Sequence, residues 1–137
     1  MTTARDVIDR HGMRPHPEGA WYVETWRAPE PPGGGRPAAS AILFLLAEGQ
    51  RSHWHRVDAA EIWQWSGGEP IELRIADDGG SVSAQRLDAE QPQAVVPAGR
   101  WQAARPLGAW GLVGCIVAPA FRFEGFELAP EGWEPGA

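Results

Sequence analysis

The sequence predicts an all-β sandwich or barrel with one short helix at its start. Three observations carry this expectation. About ten short segments of strand character follow one another at near-regular spacing. Gly (17) and Pro (13) punctuate them, as a turn-rich β protein requires. Helical patterning is confined to residues 3–11.

The helix is expected there because Thr3 can cap it, Asp6 stands three residues on, and Gly12 can end it in the left-handed conformation. Past Pro15 and Pro17 the pattern changes to period two. Residues 20–26 alternate and are rich in aromatic and β-branched side chains, so they read as a strand. The stretch at about 28–39 is dominated by Pro and Gly and reads as a mobile loop. Residues 40–47 form an unbroken apolar run of strand length, consistent with a strand covered on both faces. Further strands are expected at 52–56, 61–65, 71–76, 82–87, 93–96, 100–104, 110–118 and 123–128. Asp77 to Gly80 reads as a tight hairpin turn, Pro97 to Gly99 as another turn, and 130–137 as a loose tail. No repeat or boundary divides the chain, so residues 1–137 are read as one domain.

Composition narrows the function. Hydrophobic residues make up 43%, enough for a core that needs no disulfide or structural zinc, and Cys115 is the only cysteine. The net charge of −6 argues against nucleic acid and membrane partners. Every basic residue among the 12 is Arg. Without Lys, Schiff-base chemistry and a P-loop are excluded. The longest apolar run is too short to span a bilayer and no signal peptide is recognisable, so a cytoplasmic location is expected. Eight Trp suggest indoles in the core or around a pocket.

The densest polar cluster lies at 49–67. In a regular strand His53 and His55 share a face. A chain reversal through 57–60 could return Glu61 to a paired neighbouring strand. Such an N,N,O set suits a divalent transition metal (Fe, Mn, Ni or Zn). The competing reading is plain surface polarity or packing. Trp63 and Trp65 lie on the same strand face as Glu61 and could wall a pocket. Gln102, at the start of a strand, could offer its amide oxygen to a metal, hold a substrate group, or simply bond to backbone. Tyr22 and Glu24 share one face of the strand at 20–26 and could bring acid/base groups toward His55. His16 and Glu18 read as turn-capping residues. Ser52 neighbours His53 but faces the other way, so no Ser–His nucleophile is implied. Cys115 sits in an apolar strand and is expected to be inert. A phosphorylated substrate would need Arg51, Arg56 or Arg100 turned toward it.

Two motifs then form a pattern. Gly49, His53, His55, Glu61 and Gly67 are spaced as G-x3-H-x-H-x5-E-x5-G, and Pro97, Gly99 and Gln102 as P-x-G-x2-Q. Together they resemble the paired motifs of the cupin superfamily, with Gln102 where the general pattern has His. The blocks at 16–26, 55–63, 95–104 and 112–129 resemble one subfamily in particular, the small single-domain cupin-5 group. The resemblance spans about residues 3–129. It implies a jelly-roll (cupin) β-barrel, commonly a homodimer, with a small-molecule pocket in the barrel mouth. It also implies a metal set of His53, His55, Glu61 and Gln102, or a Tyr22–His55 pair moving protons as in cupin-fold epimerases. The expected function is therefore an enzyme on a small polar metabolite, working by proton transfer (isomerase, epimerase or lyase) or with a bound metal. His55, Glu61 and Tyr22 would be catalytic, and Trp63, Trp65, Gln102 and Glu24 would touch the substrate. A non-catalytic ligand-binding module is the alternative, and a domain with a vestigial pocket a third.

Overall fold

The computed structural model describes residues 1–78 and 80–136. Helix α1 spans Ala4–His11. Its first turn closes reciprocally: the Thr3 hydroxyl accepts from the Asp6 N–H, and the Asp6 carboxylate accepts from the Thr3 N–H. Gly12 ends it with φ 62°, where a side chain would be strained. Val7 and Ile8 bury against Met13 and Leu45, which fastens the helix to the outside of a sheet.

Eleven strands among the described residues follow: β1 Arg14–His16, β2 Ala20–Arg27, β3 Ser40–Ala47, β4 Ser52–Val57, β5 Ala60–Gly68, β6 Ile71–Ala76, β7 Val82–Leu87, β8 Gln93–Val96, β9 Gln102–Pro106, β10 Trp110–Ala118 and β11 Phe126–Leu128. They form two antiparallel sheets, ordered β1-β2-β3-β10-β5-β8 and β11-β4-β9-β6-β7. The sheets face one another as the halves of a jelly roll, and among the described residues no ladder hydrogen bonds close them into a continuous barrel.

The core lies between the sheets. Phe44, Leu46, Trp63, Val96, Val113 and Cys115 come from one side, and Ile71, Leu73, Ile75, Leu87 and Ala104 from the other. Full burial of each large apolar side chain is worth roughly 1.5–3 kcal/mol. The unbroken run of β3 has its reason here. Phe44 and Leu46 face this core, while Leu45 faces the helix.

Most expected strands appear within a few residues of their place. β1 was not foreseen, because Pro15 and Pro17 break its pattern. The strand expected at 100–104 begins at Gln102, since the Arg100 N–H bonds back to the Pro97 carbonyl and prolongs the turn. A 3₁₀ turn, Phe123–Gly125, occupies the start of the expected final strand. The hairpin turn expected at 77–80 includes Gly79, which lies outside the described residues. The stretch 28–39 holds no helix or strand, and its second half is tied down. Arg36 donates to the Ala120 carbonyl at 2.8 Å and to the Asp58 carboxylate at 2.7 Å. No helix among the described residues is long and apolar enough to cross a membrane.

Candidate functional site

A pocket of about 440 Å³ opens between the two sheets. That is within the size range of small-molecule sites. Its polar residues include His16, Glu18, His55 and Glu61, and its walls are Tyr22, Phe44, Phe121 and Phe123 with Val23 and Ile42.

The β1–β2 turn supplies the first two groups. His16 ends β1, Glu18 sits in the turn, and Gly19 follows at φ 104°. A Cβ on Gly19 would stand 2.7 Å from the Arg51 carbonyl, so only glycine lets the turn press against the entry to β4. The His53 N–H bonds to the Glu18 carbonyl at 2.9 Å and locks that approach. Glu18 is thereby carried inward and left only 7% exposed.

β4 supplies the next group through an irregularity. Its pairing with β9 shifts register between Ser52 and His55, which breaks the period of two. Ser52 and His55 therefore both reach the interior. The Ser52 hydroxyl donates to Glu18 Oε1 at 2.9 Å and lies 3.4 Å from His55 Nδ1. His53, expected beside His55, turns away: its Nε2 lies 2.9 Å from the Pro130 carbonyl and it does not line the pocket.

His55 is 2% exposed. Its Nδ1 lies 2.7 Å from the His53 carbonyl, which can only accept, so Nδ1 carries a proton. Its Nε2 faces Glu18 Oε2 at 3.2 Å. Glu61 comes from β5, which belongs to the other sheet. It meets the His55 region across the sandwich and not along a shared hairpin, as the expected reversal would have had it.

Gln102 pairs with His55 in register on β9 and is fully buried. Its Nε2 donates to Glu61 Oε1 at 2.9 Å, and its Oε1 accepts from the Trp63 indole at 2.8 Å. An indole N–H can only donate, so the amide oxygen must face Trp63 and the amide nitrogen must face Glu61.

These facts test the four expected metal donors. Gln102 turns its oxygen away from the pocket, and His53 faces the Pro130 carbonyl. His55 and Glu61 remain, and no cluster of three or more metal-ligating side chains occurs among the described residues. The four residues do not assemble as a metal cage.

The aromatic expectations are also redistributed. Trp63 is core and acts through Gln102, while Trp65 packs at the core edge and donates to the Glu69 carbonyl at 3.0 Å. Phenylalanines take the wall positions. Tyr22 lines the pocket edge-on to His16, with centroids 4.7 Å apart. Glu24 lies on the pocket lining in a two-point pair with Arg27 at 3.0 and 2.8 Å. The lining arginines are Arg14, Arg27 and Arg122; Arg51, Arg56 and Arg100 are elsewhere. Cys115 lies buried beside Glu61, and burial drives its thiol well above the usual range, so it stays protonated.

Burial sets the electrostatics of the floor. It raises the Glu18 carboxyl to about 7 against the pull of His16 and the Ser52 hydrogen bond. It raises Glu61 to about 7 as well, with the negative charge of Glu18 adding to the rise and His55 and Gln102 opposing it. Burial also lowers both His55 and His16. Near neutral pH the floor thus holds carboxyls poised between acid and carboxylate, beside imidazoles biased toward the uncharged form.

The turn-capping reading holds for His16, whose Nδ1 accepts from the Glu18 N–H at 3.2 Å, but it did not foresee that both residues also line the pocket.

Two facing antiparallel sheets enclosing a polar pocket define a cupin-type double-stranded β-helix. Within that class the chain belongs to Cupin_5, cupin superfamily (DUF985), whose family model matches residues 5–129. It is similar to a protein of Shewanella oneidensis at 32% identity and TM-score 0.88, covering 94% of this chain and 85% of that one. A hypothetical protein from Leishmania major is similar at 27% identity and TM-score 0.83, covering 93% and 88%. Oxalate decarboxylase of Bacillus subtilis shares the fold at 14% identity and TM-score 0.66, over 83% of this chain and 29% of that one. No curated protein sequence matches the chain.

Proposed function

We propose that this chain is a cupin-fold enzyme that moves a proton on a small polar metabolite, in the manner of an isomerase, epimerase or lyase. The observation that carries this reading is the Glu18–His55 pair. A carboxyl raised to about 7 faces an imidazole nitrogen at 3.2 Å, inside a pocket of ligand size. General acid–base chemistry is most efficient when the group titrates near the working pH.

The roles follow from the hydrogen bonds. The His53 carbonyl holds His55 Nδ1–H, so Nε2 is free to exchange a proton with Glu18. Ser52 fixes the other Glu18 oxygen. Glu61 is held by Gln102 and offers a second titrating carboxyl on the opposite sheet. One carboxyl can take a substrate proton while the other site returns one. Tyr22 and the phenylalanine walls limit water around the bound molecule.

The test is deuterium wash-in from D₂O into a panel of small sugars, hydroxy acids and keto acids, read by proton NMR. Catalysed exchange that falls at least 100-fold in Glu18→Gln and His55→Gln supports the reading. Ligands that bind in the pocket with no exchange anywhere in the panel would reassign the chain as a binding module.

A further inference from the structure

The two pocket imidazoles are held in opposite tautomers by the main chain. His16 Nδ1 lies 3.2 Å from the backbone N–H of Glu18. A backbone N–H can only donate, so this nitrogen must accept and carries no proton. The proton of the neutral ring therefore sits on Nε2. At His55 the neighbour is a carbonyl, which can only accept, so there Nδ1 carries the proton and Nε2 is the working nitrogen. One ring is a fixed donor and the other a proton exchanger.

His16 Nε2–H has no protein acceptor among the described residues, although the side chain is only 6% exposed and lines the pocket. Three aromatic rings meet it nearly edge-on: Tyr22 at 4.7 Å and Phe44 and Phe126 both at 5.8 Å between centroids. That surround is apolar and leaves the N–H for a ligand atom in the pocket. A neutral donor in such a place stabilises negative charge as it forms on an oxygen. The far nitrogen of the ring, Nδ1, stands 3.7 Å from Glu18 Oε2, and both residues line the same pocket. A substrate oxygen bound at His16 would therefore share one pocket with the carboxyls of Glu18 and Glu61.

We propose that His16 donates its Nε2–H to the carbonyl oxygen of the substrate, and that the substrate class is small carbonyl compounds with an acidic α-hydrogen. This rests on the proton-transfer reading of the same pocket. The step balances without another reactant. A carboxylate of the cluster takes the α-proton, the C–H electron pair becomes the new C=C bond, and the former C=O π pair moves onto oxygen. The enolate oxygen is held by His16. Return of the proton to carbon gives isomerisation or inversion. The absence of Lys is consistent with this assignment, because carbonyl activation through a Schiff base is closed to the chain.

Two measurements on the full chain test it. The first is a long-range proton–nitrogen correlation spectrum of protein with ¹⁵N-labelled histidine at pH 7.5, with His16 assigned from the signal lost in His16→Phe. The expected result is a His16 ring protonated on Nε2 only and a His55 ring protonated on Nδ1. A His16 ring protonated on Nδ1 overturns the proposal. The second is deuterium wash-in to dihydroxyacetone, glyceraldehyde, pyruvate and 2-oxobutanoate. His16→Phe keeps an aromatic filler but loses the donor, so kcat for exchange should fall about 10²–10³-fold, with KM moving much less. His16→Gln retains an N–H and should recover part of the loss. Equal exchange by wild type and His16→Phe removes His16 from the chemistry and leaves the Glu18–His55 pair standing. No exchange by wild type into any carbonyl compound, with exchange into other substrates of the wider panel, overturns the substrate class alone. No exchange into anything overturns both readings.

Discussion

The carboxylates around the pocket fall into two environments, and the contrast separates one held ionised from two that titrate near neutrality. Asp58 sits between two arginines, one of which, Arg122, lines the pocket. Arg36 reaches it at 2.7 and 3.2 Å and Arg122 at 3.0 and 3.3 Å, and the Arg36 hydrogen bonds lead in holding its carboxyl below the usual range. Glu18 and Glu61 lie at the pocket floor, where no arginine bonds to either among the described residues. Burial without a cation raises both to about 7. Asp58 therefore keeps its charge through the physiological range and serves as a clamp. The floor carboxyls change protonation within that range and can serve as reagents.

The largest expected effect breaks this contrast at the floor. His55→Gln should reduce catalysed deuterium exchange by about 10²–10⁴-fold, while unfolding stays cooperative by circular dichroism. Asp58→Asn should leave exchange within threefold of wild type. Comparable losses in the two variants would show that the Asp58 clamp takes part in the chemistry and that the division is wrong.

How far the sequence revealed these environments depends on the kind of order involved. Period-two patterning located β2, turn residues set off β5 and β10, and Thr3, Asp6 and Gly12 marked both ends of the helix, because those signals are local. His55, Glu61, Tyr22 and Glu24 were singled out and the fold brings all four to the pocket lining. The irregularity in β4 was not legible. A register shift depends on the partner strand, and nothing in the alternation at 52–57 announces that Ser52 and not His53 will share the interior with His55. Glu18 was hidden for a related reason. A short polar residue pattern around Pro and Gly reads as turn chemistry, and only the docking of that turn on Arg51 and His53 shows that it delivers a carboxyl to the interior. Trp63 was assigned to the wall because its face is right. Its indole is committed to Gln102, a contact between strands 39 residues apart in the chain.

The second effect is on stability and sharpens the same contrast. A floor carboxyl titrates near 7 folded and near 4.5 when exposed. Between those values the folded protein binds more protons than the unfolded chain. The stability linked to Glu18 and Glu61 is thus fully present below about pH 4.5 and is lost as pH rises through 7. The lowered imidazoles act the other way, since their contribution falls away as pH drops below 6.5. Glu61→Gln mimics the protonated acid, so it should match wild type near pH 4.5 and exceed it by up to about 3 kcal/mol at pH 8, measured by urea unfolding. Glu18→Gln should also lower the titration of Glu61, because a charge that repels it is gone.

A third prediction concerns the link that holds Glu61. Trp63→Phe removes the indole donor bonded to Gln102 Oε1. The buried amide then keeps an unsatisfied oxygen or flips and presents that oxygen to Glu61. Either outcome should cost about 1–3 kcal/mol, beyond any loss from packing. A flip also exchanges a donor for an acceptor at Glu61 Oε1, which favours the protonated acid. The alkaline limb of the exchange–pH profile should then move upward in the variant. A profile that stays in place while stability falls would confine Trp63 to a packing role.

The smallest effect tests the clamp itself. Asp58 joins the 28–39 stretch, through Arg36, to the segment that carries the wall residues Phe121 and Phe123, through Arg122. The Gly125 backbone lies so close to Asp58 that a Cβ there would overlap the carboxylate. Yet the side chain is 34% exposed, and ion pairs in such positions are worth about 0–1 kcal/mol each. Asp58→Asn should therefore lower stability by about 1 kcal/mol, and raising the salt concentration should narrow the gap between variant and wild type, because screening weakens only the charged pair. Substrate affinity should weaken modestly, since the wall segment loses a tether while the floor is untouched. A loss of several kcal/mol that is insensitive to salt would mean that Asp58 holds the segment by shape, through its contact with Gly125, and that its charge is incidental.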